Sequence, residues 1–370
     1  MRKYRNQIIV GIIFALGIYI LMLLVLDQGR FADTDGIRAQ LAGFAWPLVG
    51  VLLLFQLLVV LFRFVEWQYY LGVIGARDKI SLLDSAVIFV SCFTMVVSPG
   101  KAAEILKAVF LKAKTDVPIA RSAPIVIAER VVDGLAVIAL MVLTLLLAGT
   151  QLELGDYTGL VRGIILTSAA LLAFGLVAVQ IKPLAYFVLG MIAHVPLIKR
   201  LHEPLTTFYE SSREIFKLRH TIPMTLVGVC VYASSGLGFF VILLGFGLEP
   251  SWVLFLQTMF ILGVSSAIGA LSFVPNGAGV TELSNTGLLL AMVAPTHPEL
   301  SPALAAAAAL LQGFFHKWFR VLLGLAVMWI FRKRLFAGDI QAALLEAQAV
   351  HNHQGQRKTQ TQETMATDLV

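Results

Sequence analysis

Residues 131 to 148 read VVDGLAVIALMVLTLLLA, and after Asp133 the run carries no charge and no proline. An α-helix rises about 1.5 Å per residue, so about 20 residues of this kind cross the roughly 30 Å of hydrocarbon in a bilayer. The run is continuously apolar, whereas a membrane β-strand alternates residue by residue and turns after about ten. A helical span is therefore predicted and a β-barrel is not. The whole chain has the same character: 58% of its 370 residues are hydrophobic, 14% are charged and the mean hydropathy is +0.86. Soluble domains carry about 25% charged residues. The formal charge of +6 does not point to nucleic acid, because the basic residues sit in short loops beside apolar runs, where they orient spans. Cys92 and Cys230 each lie within an apolar segment without metal-ligand spacing.

Upstream, Arg2, Lys3 and Arg5 precede an apolar stretch from Ile8 to Leu26. It is longer than a signal peptide's core and no small-residue cleavage site follows, so it reads as a retained first span starting in the cytoplasm. A second span runs from Trp46 to Phe62, and Arg63, Arg77 and Lys79 mark a cytoplasmic loop. The next run, Ser81 to Val97, is broken by Ser98-Pro99-Gly100 and followed by Lys101, Lys107, Lys112 and Lys114. That pattern predicts a re-entrant hairpin. The segment from Val117 to Ala148 crosses outward to a loop with Glu153 and Asp156, and Val161 to Ile181 returns. Residues 182 to 221 form the largest basic cytoplasmic loop, and Ile222 to Phe246 crosses outward again. The run Trp252 to Val274 is broken by Pro275-Asn276-Gly277-Ala278-Gly279, a second hairpin, now from the outer face. A last span, Ala303 to Phe331, ends at Arg332-Lys333-Arg334, which places the C-terminus in the cytoplasm.

The expected fold is an all-α polytopic membrane protein with about six full spans and two re-entrant helical hairpins. Its single membrane domain covers 1–335, and a polar tail at 336–370 is expected to be disordered. The halves 1–150 and 151–335 share one order of elements in opposite orientation, the mark of an inverted-topology repeat with its substrate site near the midplane. The alternative is eight to ten ordinary spans with Pro/Gly kinks.

A broken span leaves backbone polar groups unpaired, which hydrocarbon tolerates only where protein or a wet cavity satisfies them. The helix opening after Pro99 could hold an anion on its free N–H groups, with Lys101 and Lys107 adding charge and Glu104 beside them. Lys112 and Lys114 are read as markers of the cytoplasmic interface. In the second break Gly277 and Gly279 permit positive φ, and Glu282 is an acid that needs a partner; otherwise it serves the helix dipole. Glu129, Arg130 and Asp133 set two carboxylates one turn apart around a guanidinium, a group able to satisfy itself or to sit at the interface. Arg320 lies twelve residues before Arg332, about 18 Å along a helix. A central charge costs about 2.5 to 3.5 kcal/mol on insertion scales, so Arg320 should face a cavity and a partner. Lys317 shares its face, with outward snorkelling as the plainer alternative. Trp46, Trp67, Tyr69 and Tyr70 are read as interfacial anchors. Runs such as Ser234 to Gly238 and Ala305 to Ala309 are read as helix-packing surfaces. No nucleotide loop, nucleophile elbow or metal cluster occurs, so no cofactor or metal is expected.

Pro99-x-Lys101-x-Ala103-Glu104-x-x-Lys107, then Glu129-Arg130-x-x-Asp133, then Pro275-x-Gly277-x-Gly279-x-x-Glu282 together resemble the lysylphosphatidylglycerol synthase transmembrane region, or flippase-like, family. The resemblance covers roughly residues 5 to 335. It implies an inverted-repeat domain in a bacterial-type cell membrane that handles lipids. Ala103 stands where the family often has Gly, and Gln312, His316 and Lys317 surround the place of a common family arginine. Members that make aminoacylated lipid carry a soluble domain after the membrane part, and a short polar tail follows here, so enzymatic activity is not expected. The expected function is movement of an anionic phospholipid or polyprenyl-phosphate lipid between leaflets, with no nucleic-acid partner. The alternatives are a lipid-modifying membrane transferase, with Glu282 or Asp133 as base, and a non-transporting subunit of envelope lipid assembly, hopanoid lipids included.

Overall fold

The structure is a computed structural model that describes residues 36–95, 105–149, 158–194, 202–272, 274 and 277–335. The expected first span at 8–26, the Ser98-Pro99-Gly100 break with Lys101 and Glu104, the loop with Glu153 and Asp156, Pro275 and Asn276, and the tail at 336–370 lie outside those residues. Among the described residues all regular structure is helical. The first half contributes α1 (Ile37–Gly43), α2 (Val49–Val73), α3 (Leu82–Ser91), α4 (Ile105–Thr115), α5 (Ile119–Ser122) and α6 (Pro124–Ala148). The second contributes α7 (Thr158–Gln180), α8 (Lys182–His194), α9 (His202–Ile215), α10 (Leu218–Gly245), α11 (Trp252–Leu271), α12 (Val280–Met292), α13 (Pro302–Ile330) and α14 (Arg332–Leu335). Six segments among the described residues are long and apolar enough to cross a membrane: Trp46–Val73, Ile119–Ala148, Val161–Gln180, Leu218–Gly245, Trp252–Leu271 and Pro302–Ile330. The chain is thus an all-α polytopic membrane protein.

Local chemistry sets the helix ends. The hydroxyls of Ser81, Ser251 and Ser301 accept the backbone N–H groups of Asp84 (3.1 Å), Leu254 (3.0 Å) and Leu304 (3.2 Å). Each satisfies a donor that a helix start leaves open. Pro124 and Pro302 occupy first turns, where a missing N–H costs nothing. Gly149, at φ 54°, ends α6.

Lipid tails are as apolar as leucine, so helices gain little by burying apolar surface from lipid and associate through close packing instead. Helix α2 lies along α10, α6 packs on both α10 and α11, and α13 packs on α12. Small residues allow these approaches: Gly228 meets Ala136 and Val132, and Gly263 meets Met141. The expected packing runs are buried, with Ala305 to Ala309 at most 1% exposed. Helix α7 stands at the periphery and exposes Leu171, Phe174 and Val177.

Both broken segments fold as paired helices. Gln257 Nε2 donates to the Met292 carbonyl at 2.6 Å, while Gly269 meets Gly277 and Thr281 at the other end. These contacts fix α11 and α12 as antiparallel arms. In the first half, Val87 and Ile88 of α3 and Cys92 just beyond its end cluster with Phe110 of α4. Helix α3 also crosses α13 where Gly324 touches the Val90 carbonyl and the Thr94 amide. At the surface, Arg334 donates to Asp84 at 2.7 and 3.1 Å, and Lys114 donates to the Arg334 carbonyl at 2.7 Å.

Several expectations change. Helix α2 continues to Val73, so Arg63 is a residue of the helix rather than of a cytoplasmic loop. Trp67 and Tyr70 are each 1% exposed; they pack inside the bundle and do not anchor its rim. The stretch 182–221 is not one loop, because α8, α9 and the first turn of α10 form within it. Helix α11 has 20 residues and the composition of a full span, a length that does not force it to turn back midway.

A Cβ at Gly324 would lie 2.8 Å from the Val90 carbonyl oxygen and 2.9 Å from the Thr94 nitrogen, whereas one at Gly163 meets nothing within 4 Å. Overpacking of this kind costs about 1 to 3 kcal/mol. Gly324→Val is expected to lower the thermal denaturation midpoint of purified protein in detergent, and Gly163→Ala to leave it unchanged.

Candidate functional site

An ion leaving water loses several kcal/mol of solvation even after protein relaxation, on the order of the whole stability of a domain, unless a counter-charge meets it. Charged side chains inside the bundle are accordingly gathered into two groups. The first joins three helices. Arg63 and Glu66 project from α2 one turn apart, Glu129 and Asp133 from α6, and Lys107 from α4, while the exposed Arg130 of α6 reaches in from the surface. The Lys107 ammonium bonds both carboxylate oxygens of Glu129 at 3.1 and 2.9 Å. It also lies 5.0 Å from the Phe89 ring centre and 5.5 Å from that of Trp67, two further contacts that favour a cation. Asp133 takes an ion pair from Arg63 and a second from Arg130 at 3.1 Å. Arg63 also reaches Glu66 at 3.5 Å and stands 5.9 Å from the Tyr232 ring.

This arrangement corrects the idea that Glu129, Arg130 and Asp133 form a closed set. Spacing of three and four residues puts them on one face of α6, and that face draws Arg63 and Lys107 from two other helices. Glu129 is 2% exposed, enclosed among these helices.

The second group forms where α11 turns into α12. Gly277 and Gly279 have φ of 60° and 83°, values that the Cβ of other residues resists. Their turn presents the Gly279 amide, which donates to Glu282 Oε2 at 2.8 Å; the Thr281 hydroxyl donates to the same oxygen at 2.9 Å. Lys317 of α13 bonds the other oxygen of Glu282 at 2.7 Å. Lys317 is buried, so its ammonium turns inward rather than snorkelling.

Arg320 stands one turn beyond Lys317. Its Nε donates to the His316 carbonyl of its own helix at 2.7 Å, and among the described residues it has no carboxylate partner. It is half-buried and lies within the electrostatic reach of Arg63, Arg130 and Asp133, so it connects the two groups. Beside it His316 shares a hydrogen bond with Ser235 of α10 at 3.0 Å, and Gln312 donates to the same hydroxyl at 3.3 Å. Of the residues singled out in the sequence, Lys107, Glu129, Arg130, Asp133 and Arg320 come together, and Gly277, Gly279, Glu282 and Lys317 form the adjoining turn. Lys101 and Glu104 lie outside the described residues. Arg63, Glu66, Trp67 and Ser235 were not anticipated. The three-residue spacing of Arg63 and Glu66 within a run that continues through Val65 and Trp67 is a signal that would have pointed to the first two.

Removing one partner of a buried ion pair costs about 3 to 5 kcal/mol because a lone charge remains. Lys317→Ala, which takes the cation from Glu282 Oε1, is therefore expected to lower the denaturation midpoint in detergent more than Arg320→Ala, which takes a cation from no carboxylate among the described residues. Equal losses in thermal scans of the two variants would contradict this pairing.

Comparison with known proteins gives one family. No curated protein and no solved structure matches the chain. Residues 8–324 match the family described as the lysylphosphatidylglycerol synthase TM region, a span that includes every charged residue of the two groups. On that match the chain belongs to the membrane-domain family of lysylphosphatidylglycerol synthases.

Proposed function

We propose that this protein moves an anionic lipid, of the phospholipid or polyprenyl-phosphate type, between the leaflets of a bacterial-type inner membrane. The observation that carries the reading is Arg320: a half-buried guanidinium, without a carboxylate among the described residues, within the electrostatic reach of Arg63 and Arg130. A cation left in this state gains most from an anionic visitor. The described groups hold five cations (Arg63, Lys107, Arg130, Lys317, Arg320) against four acids (Glu66, Glu129, Asp133, Glu282), a surplus of one positive charge. A phosphodiester headgroup carries one negative charge and would complete the balance. Arginine suits it because its planar fork matches phosphate oxygens in pairs.

In this reading Arg320, Arg63 and Arg130 receive the headgroup, with Lys101, Lys107 and Lys317 nearby. Glu104, Glu129, Asp133 and Glu282 hold the cations while the site is empty. The halves act as an inverted repeat: α3 of the first half packs against α13, the last long helix of the second, and α11 of the second half packs against α6, the last long helix of the first. Rocking one half against the other would expose the site to each leaflet in turn. Both termini are placed in the cytoplasm, and the carboxylates are assigned no bond-making step.

Reconstitution in liposomes with fluorescent phosphatidylglycerol or a labelled polyprenyl phosphate tests the reading. Leaflet exchange above that of empty vesicles is expected. A charged hydrogen bond contributes about 1.5 to 3 kcal/mol, so Arg320→Ala should slow exchange about ten- to a hundredfold. Exchange no faster than in empty vesicles for every such lipid would end the proposal.

A further inference from the structure

Glu66 is the acid of the two groups that a cation holds least closely. It is 0% exposed on α2, and its one ion-pair partner among the described residues, Arg63, is 3.5 Å from Oε2 while also held by Asp133. Its Oε1 is buried without a hydrogen-bond donor and lies 3.4 Å from the position a Cβ would take at Gly228. Glu129, Asp133 and Glu282 each hold a cation at 3.1 Å or closer. An ionised carboxylate with a buried oxygen that no donor meets is costly, and a proton on that oxygen lowers the cost.

The charges around Glu66 can be traced on each helix packed against it. Arg63 and Tyr70 share its own helix, and α6 brings Glu129, Arg130 and Asp133. Helix α10 brings Tyr232 beside Arg63, and its His220 is engaged with Tyr69. Helix α3 offers the neutral Ser85 to Trp67, and α13 sets His316 and Arg320 within reach of Arg63. The Glu214 carboxylate of α9 is taken up by Lys217 and Arg219 at the surface.

We infer that Glu66 is a proton-binding site coupled to the anion at the arginines, which makes lipid movement proton-linked; this rests on the translocation reading above. With Glu66 ionised the described groups carry a surplus of one positive charge, and with Glu66 protonated a surplus of two. The more positive site binds an anion more tightly. By linkage a bound anion raises the affinity of Glu66 for a proton by the same factor. An arriving headgroup also draws Arg63 away from Glu66, which leaves the carboxylate alone until the proton arrives. The proton comes from water on the side of headgroup entry, adds to Glu66 Oε1 and returns to water when the headgroup leaves. Anionic lipid and proton therefore travel in the same direction.

Calorimetric titration of the purified protein with short-chain phosphatidylglycerol, in buffers of differing protonation enthalpy, counts the protons taken up on binding. In alkaline buffer, where Glu66 of the empty site is ionised, uptake approaching one proton per lipid is expected, with affinity falling about tenfold per pH unit. Short-chain phosphatidylcholine is expected to show no uptake. Glu66→Gln, close in shape and checked as monodisperse, is expected to bind phosphatidylglycerol without uptake and with pH-independent affinity. Binding with no proton uptake by the unmodified protein overturns the coupling alone and leaves translocation standing. Uptake that persists in Glu66→Gln overturns the assignment to Glu66. If neither phosphatidylglycerol binding nor leaflet exchange is observed, the translocation reading falls and the coupling falls with it.

Discussion

A cation inside a bilayer must find oxygen, and the positions of these helices follow from that requirement. Lys107 and Glu129 meet at 2.9 Å from different helices, as do Lys317 and Glu282 at 2.7 Å and Arg63 and Asp133. Each pair ties a helix from a broken segment, or the second long span, to a helix that crosses the membrane. In water such contacts are worth little. Within hydrocarbon separation is what costs, because each partner would be left as a bare ion. The pairs therefore specify which helices are neighbours even where net stability changes little.

Apolar packing supplies the second half of the design. Because lipid solvates leucine as well as protein does, a helix joins the bundle through shape. Gly228 against Ala136, Gly263 against Met141 and Gly324 against the backbone at Val90 bring helices close where the ion pairs need them. The Thr281 hydroxyl and the Gly279 amide then orient the Glu282 carboxylate toward Lys317. Small residues and charged residues thus work at the same crossings.

Much of this was legible in the sequence. Continuous apolarity from Val131 to Ala148 gave a spanning helix, Pro/Gly punctuation gave the second helix pair, and the isolation of Glu282 among apolar residues implied a partner, which is Lys317. Arg63 escaped because orientation rules treat each basic residue beside an apolar run as a mark of the membrane surface. Its partner Asp133 is 70 residues further on, and no local pattern encodes so distant a meeting. Trp67 and Tyr70 escaped for a related reason: aromatic residues near charges usually mark the rim, yet here Trp67 donates to Ser85 at 2.9 Å and lies beside the Lys107 ammonium. The loop expected at 182–221 condensed into helices because residues such as Ile215, 0% exposed, recur at intervals that bury one face against the bundle.

The contacts of Arg334 fasten the end of the last long helix to the first helix pair, through Asp84 on one arm and Lys114 on the other. Tension on the backbone leaving Leu335 is thereby delivered to α3 and α4 before it reaches α13. A heavy fusion or an immobilised tag placed there would act as a brake on that pair. Ionic strength, which weakens exposed charge contacts within a Debye length of about 8 Å, would ease the brake without touching the interior.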